Sequence, residues 1–146
     1  MTIEKYIVIA KIDLMGKYLE RLQRFESVTL EQYLNDGDMQ LVVERLLQLI
    51  IQMAIDLNRY FLKELGIDQP ETNAEAFHAV SQCGIIPDNL AKNIAGSVSL
   101  QNRLVHGYDT IDSVIVHGSI KKVLQYFPMY QKQVGNYLDS LEDKNG

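Results

Sequence analysis

One long segment without a helix breaker constrains this chain most. It reads MQLVVERLLQLIIQMAIDLNRYFLKELG, follows Asp38 and ends at Gly66. Its Leu, Ile and Met residues recur at spacings of three and four and occupy more than one side of a helix, a pattern typical of a helix packed among others. Gly66 suits the position just past a helix C-terminus. The segment therefore predicts the central helix of a bundle.

The remaining long segments also repeat apolar residues at helical spacing, and no strand pattern competes with them. The stretch TLEQYLND predicts a short helix capped by Thr29, with Gln32 at the capping-box position. Other helices are predicted at Ile3–Phe25, at Asn73–Cys83, from Pro87 to His106, and at Asp112–Leu141, where Pro128 should kink or break the last one. The sequence predicts an all-α, up-and-down bundle of four to five helices.

Length, charge and cysteine content limit the classes of protein. A chain of 146 residues is long enough for one domain, 1–146, with its own core. The net charge of −5 argues against a broad nucleic-acid-binding surface, so any contact with RNA must be local. A single cysteine, Cys83, excludes an internal disulfide and favours a core role, and the apolar run Tyr6–Ala10 is too short for a membrane span or a signal peptide. We expect a cytoplasmic protein that does not enter membranes.

The stretch SLQNRLVHGYD closes the predicted fourth helix with a cluster of polar residues. On a helix, Asn102 and Arg103 lie four and three positions before His106, so all three can project toward one patch. Gly107 lets the chain leave the helix, and Tyr108 follows at the start of the loop. Basic residues in a last turn also interact favourably with the helix dipole. On spacing alone, a capping role and a chemical role both remain open.

Other candidate residues carry less chemistry. His78 has no second histidine or carboxylate four residues later, and His117 suits a solvated or capping position at the start of the last helix. Lys121 and Lys122 could add positive charge near Arg103. The sequence contains no phosphate-binding glycine loop, nucleophile constellation or paired metal carboxylates, so we expect neither a metal nor a cofactor.

An all-α chain of this length, with NRLVHGYD ending one helix and TID leading into the next, resembles the HepT-like toxins of the HEPN superfamily. The likeness covers nearly the whole chain. The family signature is an arginine, then a polar residue, then a histidine about five to seven positions after the arginine, followed in this branch by x-Tyr. Such proteins are metal-independent ribonucleases paired with a minimal nucleotidyltransferase antitoxin. The resemblance therefore implies a HEPN-like helical domain acting on RNA as the toxin of a toxin–antitoxin system.

The motif carries over residue by residue, with one departure. Asn102 matches the polar position, His106 the histidine and Tyr108 the tyrosine, whereas Gln101 stands in the place of the arginine. Arg103 falls where the motif does not demand an arginine. The resemblance thus implies a catalytic group of Gln101, Asn102 and His106, with Arg103 and Tyr108 binding substrate. Because Gln lacks the guanidinium that fits a phosphate, nuclease activity should be weakened or lost.

The resemblance also implies partners. We expect a C2 homodimer whose active site lies in the cleft between two motif-bearing helix ends. The nucleotidyltransferase antitoxin would attach AMP to Tyr108, where the added phosphate would repel RNA. Two alternatives remain: a non-catalytic module that presents RNA or a nucleotide to the nucleotidyltransferase, and a purely structural bundle.

Overall fold

The computed structural model describes residues 2–107 and 111–145. All regular structure in these ranges is helical, which confirms the predicted all-α class. Seven helices follow one another there: α1 (Lys5–Gln23), α2 (Leu30–Leu34), α3 (Gly37–Glu64), α4 (Asn73–Gln82), α5 (Asp88–Ala95), α6 (Ser97–His106) and α7 (Ser113–Asn145). None of the helices in the described ranges is long and apolar enough to cross a membrane.

Helix α3 is the centre of the bundle, as its apolar pattern predicts. It packs against α1, α4, α6 and α7, and its buried residues extend from Val43 to Leu62. The Asp36 side chain caps its N-terminus by accepting a hydrogen bond from the Met39 backbone N–H at 3.0 Å. Burial on several sides explains why this segment is apolar around more than one face.

The helix caps agree closely with the sequence. In α2, the Thr29 hydroxyl accepts from the Gln32 N–H at 3.1 Å, and the Gln32 side chain accepts from the Thr29 N–H at 3.0 Å, so the predicted capping box is confirmed. In α4 the cap is Thr72, whose hydroxyl accepts from the Glu75 N–H, whereas Asn73, the first residue of the predicted segment and its expected cap, is already helical. The ends of α1 lie two residues inside the predicted bounds, a difference typical of fraying helix ends.

The structure differs from the prediction at two positions, a helix break at Gly96 and an unbroken helix at Pro128. The segment predicted as one helix from Pro87 to His106 is divided at Gly96 into α5 and α6. Glycine weakens a helix interior, so this is the position where such a helix separates most easily. Conversely, α7 continues through Pro128 without a break. Phe127 and Tyr130, both buried on either side of the proline, hold α7 against the core and compensate for the lost backbone hydrogen bond.

A buried polar pair joins α7 to α3. The Tyr130 hydroxyl donates a hydrogen bond to Asn58 Oδ1 at 2.7 Å, and both side chains are fully buried. Burial raises the pKa of Tyr130, so its hydroxyl stays protonated and remains a donor. Near the N-terminal end of α7, His117 Nε2 donates to the Val28 carbonyl oxygen at 2.7 Å. Cys83 lies half-buried against the core, consistent with the predicted packing role.

Candidate functional site

The last two turns of α6 separate into a buried face and an exposed polar face. Leu100, Gln101 and Leu104 are buried, whereas Asn102, Arg103 and His106 are exposed. The Gly107 N–H donates to the Arg103 carbonyl oxygen at 2.9 Å and closes the helix. The structure therefore brings three of the predicted site residues to the surface at one helix end. Tyr108, the fifth predicted residue, lies outside the described residues.

Gln101 lies on the other side of this helix end, turned toward α3. Its side chain is only 3% exposed, and its Nε2 donates to Gln52 Oε1 at 2.8 Å. The Gln52 Nε2 in turn donates to Asp56 Oδ1 at 2.9 Å. A carboxylate accepts but never donates, so Asp56 fixes the direction of both amide hydrogen bonds.

This hydrogen-bonded chain has two consequences for position 101. The Gln101 Oε1 atom is left buried without a partner among the described residues. The Gln101 amide N–H group is directed into the protein, so position 101 presents neither a charge nor a donor at the exposed face of α6. Gln52 and Asp56 were not predicted as site residues, although their spacing of four on one helix is typical of a Gln–Asp hydrogen bond.

A cavity of about 340 Å³ lies between α6 and α7, and we call it the α6–α7 cavity. Its two charged lining residues are Arg103 from α6 and Lys122 from α7. Tyr126 contributes a half-buried ring, and Leu100 and Phe127 contribute apolar surface. The cavity is therefore basic at its exposed edge and apolar and aromatic inside.

The other predicted lysine faces elsewhere. Lys121 lines a groove of about 540 Å³ between α1 and α7, the α1–α7 groove, together with Glu20 and Glu26. The predicted basic cluster is thus divided by α7, and only Lys122 shares a cavity with Arg103. Arg103 also lines a second groove with Asn102, on the side of α6 that faces the start of α4. These two predicted residues therefore share one surface.

The described residues include no group of three or more His, Cys, Asp or Glu side chains arranged to hold a metal ion. The exposed end of α6 thus offers imidazole, guanidinium and amide groups. An imidazole transfers protons, a guanidinium binds phosphate oxygens, and an amide donates hydrogen bonds. These groups suit chemistry at a phosphate.

Comparison with known proteins places the chain in a family. A family profile described as "Ribonuclease HepT-like" matches residues 15–134, most of the chain. The chain belongs to this HepT-like family. It is 44% identical over 143 residues to the tRNA nuclease HepT of Aphanizomenon flos-aquae, covering 98% of this chain and 97% of that protein. It is 24% identical over 124 residues to the mRNA nuclease HepT of Shewanella oneidensis, covering 85% of this chain and 92% of that protein.

Solved structures show the same fold. A tri-AMPylated HEPN toxin of Shewanella oneidensis in complex with an MNT antitoxin superposes on this HepT-like chain with a TM-score of 0.78 at 23% identity. The match covers 89% of this chain and 97% of the toxin. The resemblance found in the sequence is therefore confirmed at the level of family and fold.

Proposed function

We propose that this HepT-like protein is the toxin of a HEPN/MNT toxin–antitoxin system and a metal-independent endoribonuclease. The observation that carries the proposal is the exposure of Arg103 and His106, three residues apart at the end of α6, in a chain of this family. RNA is the proposed substrate. The 44% identity to a tRNA nuclease favours tRNA over mRNA.

The proposed reaction is cleavage by the RNA's own 2′-hydroxyl group. The 2′-oxygen forms a bond to phosphorus and loses its proton to a base, while the P–O5′ bond breaks and the 5′-oxygen takes a proton from an acid. His106 is the proton-transfer residue, and Arg103 neutralises the phosphate oxygens. Asn102 donates hydrogen bonds that orient the substrate. Gln101 holds the place of the family's arginine without its charge, which we infer weakens the activity.

Cleavage of a tRNA pool in the presence of EDTA tests this proposal. Proton transfer by a positioned side chain contributes about 10²- to 10⁴-fold, so His106→Ala should lower the cleavage rate by that factor. His78→Ala is the matched control, because His78 is an exposed histidine on α4, outside the proposed site. Equal rates in wild type and His106→Ala, or cleavage abolished by EDTA, would contradict the proposal.

The proposed assembly is a homodimer with the active site in the cleft between the two α6 ends. The support is apolar surface near that end: Val114 and Ile115, at the start of α7, are 51% and 45% exposed. Large exposed apolar patches mark sites of association. Sedimentation should give a dimer at micromolar concentration, and a monomer there would contradict this assembly.

The proposed partner is a minimal nucleotidyltransferase that transfers AMP to Tyr108. The Tyr108 oxygen would bond to the α-phosphorus of ATP as pyrophosphate leaves, so incubation with a minimal nucleotidyltransferase and ATP should raise the mass by about 329 Da for each AMP added. Tyr108→Phe should abolish the shift, whereas Tyr6→Phe, which alters a tyrosine that is 71% exposed, should retain it. A shift that survives Tyr108→Phe would refute this modification site.

A second candidate function is a non-catalytic module that presents RNA or a nucleotide to the nucleotidyltransferase. The burial of Gln101 favours it, because position 101 contributes no positive charge to the exposed face of α6. Expression of Gln101→Arg in cells separates the two. Growth arrest by Gln101→Arg supports the toxin function. Normal growth with both the wild type and Gln101→Arg supports the non-catalytic module.

A further inference from the structure

The α6–α7 cavity has the size of a ligand site, and two cationic side chains line it. Its volume of about 340 Å³ falls in the range of about 300–1,000 Å³ typical of small-molecule sites. Arg103 and Lys122 reach it from two different helices. Among the described residues, neither side chain forms an ion pair or a hydrogen bond. Both cations are therefore available to an anion.

The charge of the cavity contrasts with that of the chain. The net charge of the protein is −5, yet the described residues that line this cavity include two cations and no carboxylate. Two cations converging from separate helices create a local positive potential. Their paired placement suits a phosphate group, which carries up to two negative charges and accepts several hydrogen bonds.

The interior of the cavity suits an aromatic base rather than a small inorganic anion. Leu100, Val123 and Phe127 are buried and form an apolar surface, and the Tyr126 ring lies half-buried beside them. Nucleic-acid bases stack on aromatic side chains irrespective of sequence. Ser99, exposed at the edge, adds a hydroxyl that can hydrogen-bond a sugar or a base.

We propose that the α6–α7 cavity binds one nucleoside monophosphate unit, with its phosphate between Arg103 and Lys122 and its base against Tyr126. The unit is either a free nucleotide or one nucleotide of an RNA chain. Binding in this cavity does not require catalysis by His106. In the second case, which rests on the proposed function, the cavity would hold a nucleotide that flanks the cleaved bond.

Calorimetric titration of the full chain with AMP tests the proposal. Lys122→Ala should weaken AMP binding by at least about ten-fold, the loss expected for one charge-assisted phosphate contact. Lys121→Ala is the matched control, because this neighbouring exposed lysine gives the same net charge but lines the α1–α7 groove. It should change the affinity by less than about two-fold. Lys122→Gln, which retains a long polar side chain, replaces Lys122→Ala if that variant unfolds.

Four results would overturn the proposal, and the first three concern the lysine variants, adenosine and AMP itself. These are equal effects of the two lysine substitutions, adenosine binding as tightly as AMP, and absence of saturable AMP binding at millimolar concentration. Inorganic phosphate competing as well as AMP would also overturn it, because the base would then contribute nothing.

A second titration distinguishes the two sources of the nucleotide. A 2′-O-methyl trinucleotide cannot be cleaved by its own 2′-hydroxyl group, so it reports binding alone. Tighter binding of the trinucleotide than of AMP identifies RNA as the source, and equal binding identifies a free nucleotide. AMP binding without RNA cleavage would refute the proposed nuclease alone, whereas RNA cleavage without AMP binding would refute this inference alone.

Discussion

Helix α7 separates the α6–α7 cavity from the α1–α7 groove, and two adjacent lysines face one each. On the α6 side, Lys122 lies with Arg103 and no carboxylate among the described lining residues. On the α1 side, Lys121 lies with Glu20 and Glu26. Successive residues on a helix differ by about 100° in direction, so adjacent lysines point to different surfaces. The groove has the larger volume, yet only the cavity has the charge that a phosphate requires.

Two adjacent lysines in the sequence therefore do not form one basic site in the structure. Lys121 has carboxylates nearby, whereas the cations of the cavity are brought together only when α6 packs against α7. Arg103 is the residue that connects this cavity to the exposed end of α6 where His106 lies. Substitutions on the two sides of α7 should therefore have different effects.

Among substitutions on the two sides of α7, the largest expected effect is that of Arg103→Ala on RNA binding. Loss of a guanidinium–phosphate contact costs about 1.5–3 kcal/mol, which corresponds to about a 10- to 150-fold weaker affinity. The slope of log affinity against log salt should also fall by about one. Filter binding or fluorescence anisotropy of labelled tRNA at several salt concentrations measures both.

The control for this prediction is Lys63→Ala. Lys63 is exposed in the last turn of α3 and lines neither the α6–α7 cavity nor the α1–α7 groove. RNA affinity in this variant should match that of the wild type. Equal losses in both variants would mean that only the overall charge matters, which would remove the distinction between the cavity and the groove.

The next expected effect is a change in the free energy of unfolding caused by packing in the α1–α7 groove. A methyl group at Gly16 would lie 3.1 Å from Gln131 Nε2, which donates to the Ile12 carbonyl oxygen. At Gly118, also in α7, a methyl group would have no neighbour within 4 Å. Gly118→Ala should raise the free energy of unfolding by about 0.5–1 kcal/mol through helix propensity.

In Gly16→Ala the disturbed hydrogen bond should cancel that gain, leaving stability within about 0.5 kcal/mol of the wild type. Urea unfolding followed by circular dichroism compares the two variants. Neither should alter RNA binding. If Gly16→Ala gained as much stability as Gly118→Ala, the Gln131 side chain would move aside without cost, which would contradict the prediction.

The smallest expected effect is that of neutralising the α1–α7 groove. The double variant Glu20→Gln, Glu26→Gln leaves Lys121 as the only charged side chain among the described lining residues of the groove. RNA affinity should rise by less than about two-fold, because exposed charges outside a site act weakly through solvent. A gain of ten-fold or more in the same binding assay would identify this groove as an RNA-binding surface.

The sequence predicted most of the fold because local signals and burial agree there. The apolar pattern of α3, the Thr29 capping box and the exposed end of α6 all depend on neighbours within one or two turns. Gly96 and Pro128 were harder to interpret. A glycine can be tolerated in a helix interior, and a proline can be retained there by packing on both sides.

The sequence predicted less of the site, because the site depends on contacts between helices. Nothing local at Gln101 indicates that its amide donates to Gln52, a residue 49 positions away. Both Lys121 and Lys122 were predicted near Arg103, and only the packing of α6 against α7 decides that Lys122 alone shares its cavity. Residue types and motif spacing therefore identify the end of α6, whereas tertiary packing decides which of its side chains meet solvent.

We propose that a His106-dependent ribonuclease site is weakened here because position 101 lacks a guanidinium group. To bind a phosphate in Gln101→Arg, the longer arginine side chain must leave the buried position that Gln101 occupies beside Gln52 and extend to the exposed end of α6. Gln101→Lys restores the positive charge but lacks the planar guanidinium group that donates two hydrogen bonds to one phosphate, so it should restore less activity.

The most direct test compares the initial rates of tRNA cleavage, in EDTA, of the wild type, Gln101→Arg, and Gln101→Arg combined with His106→Ala. Gln101→Arg should cleave at least about 100-fold faster than the wild type, because a lost transition-state donor costs about 10²- to 10³-fold. Adding His106→Ala should remove the gain. A wild-type rate equal to that of Gln101→Arg, or a gain that survives His106→Ala, would contradict the claim.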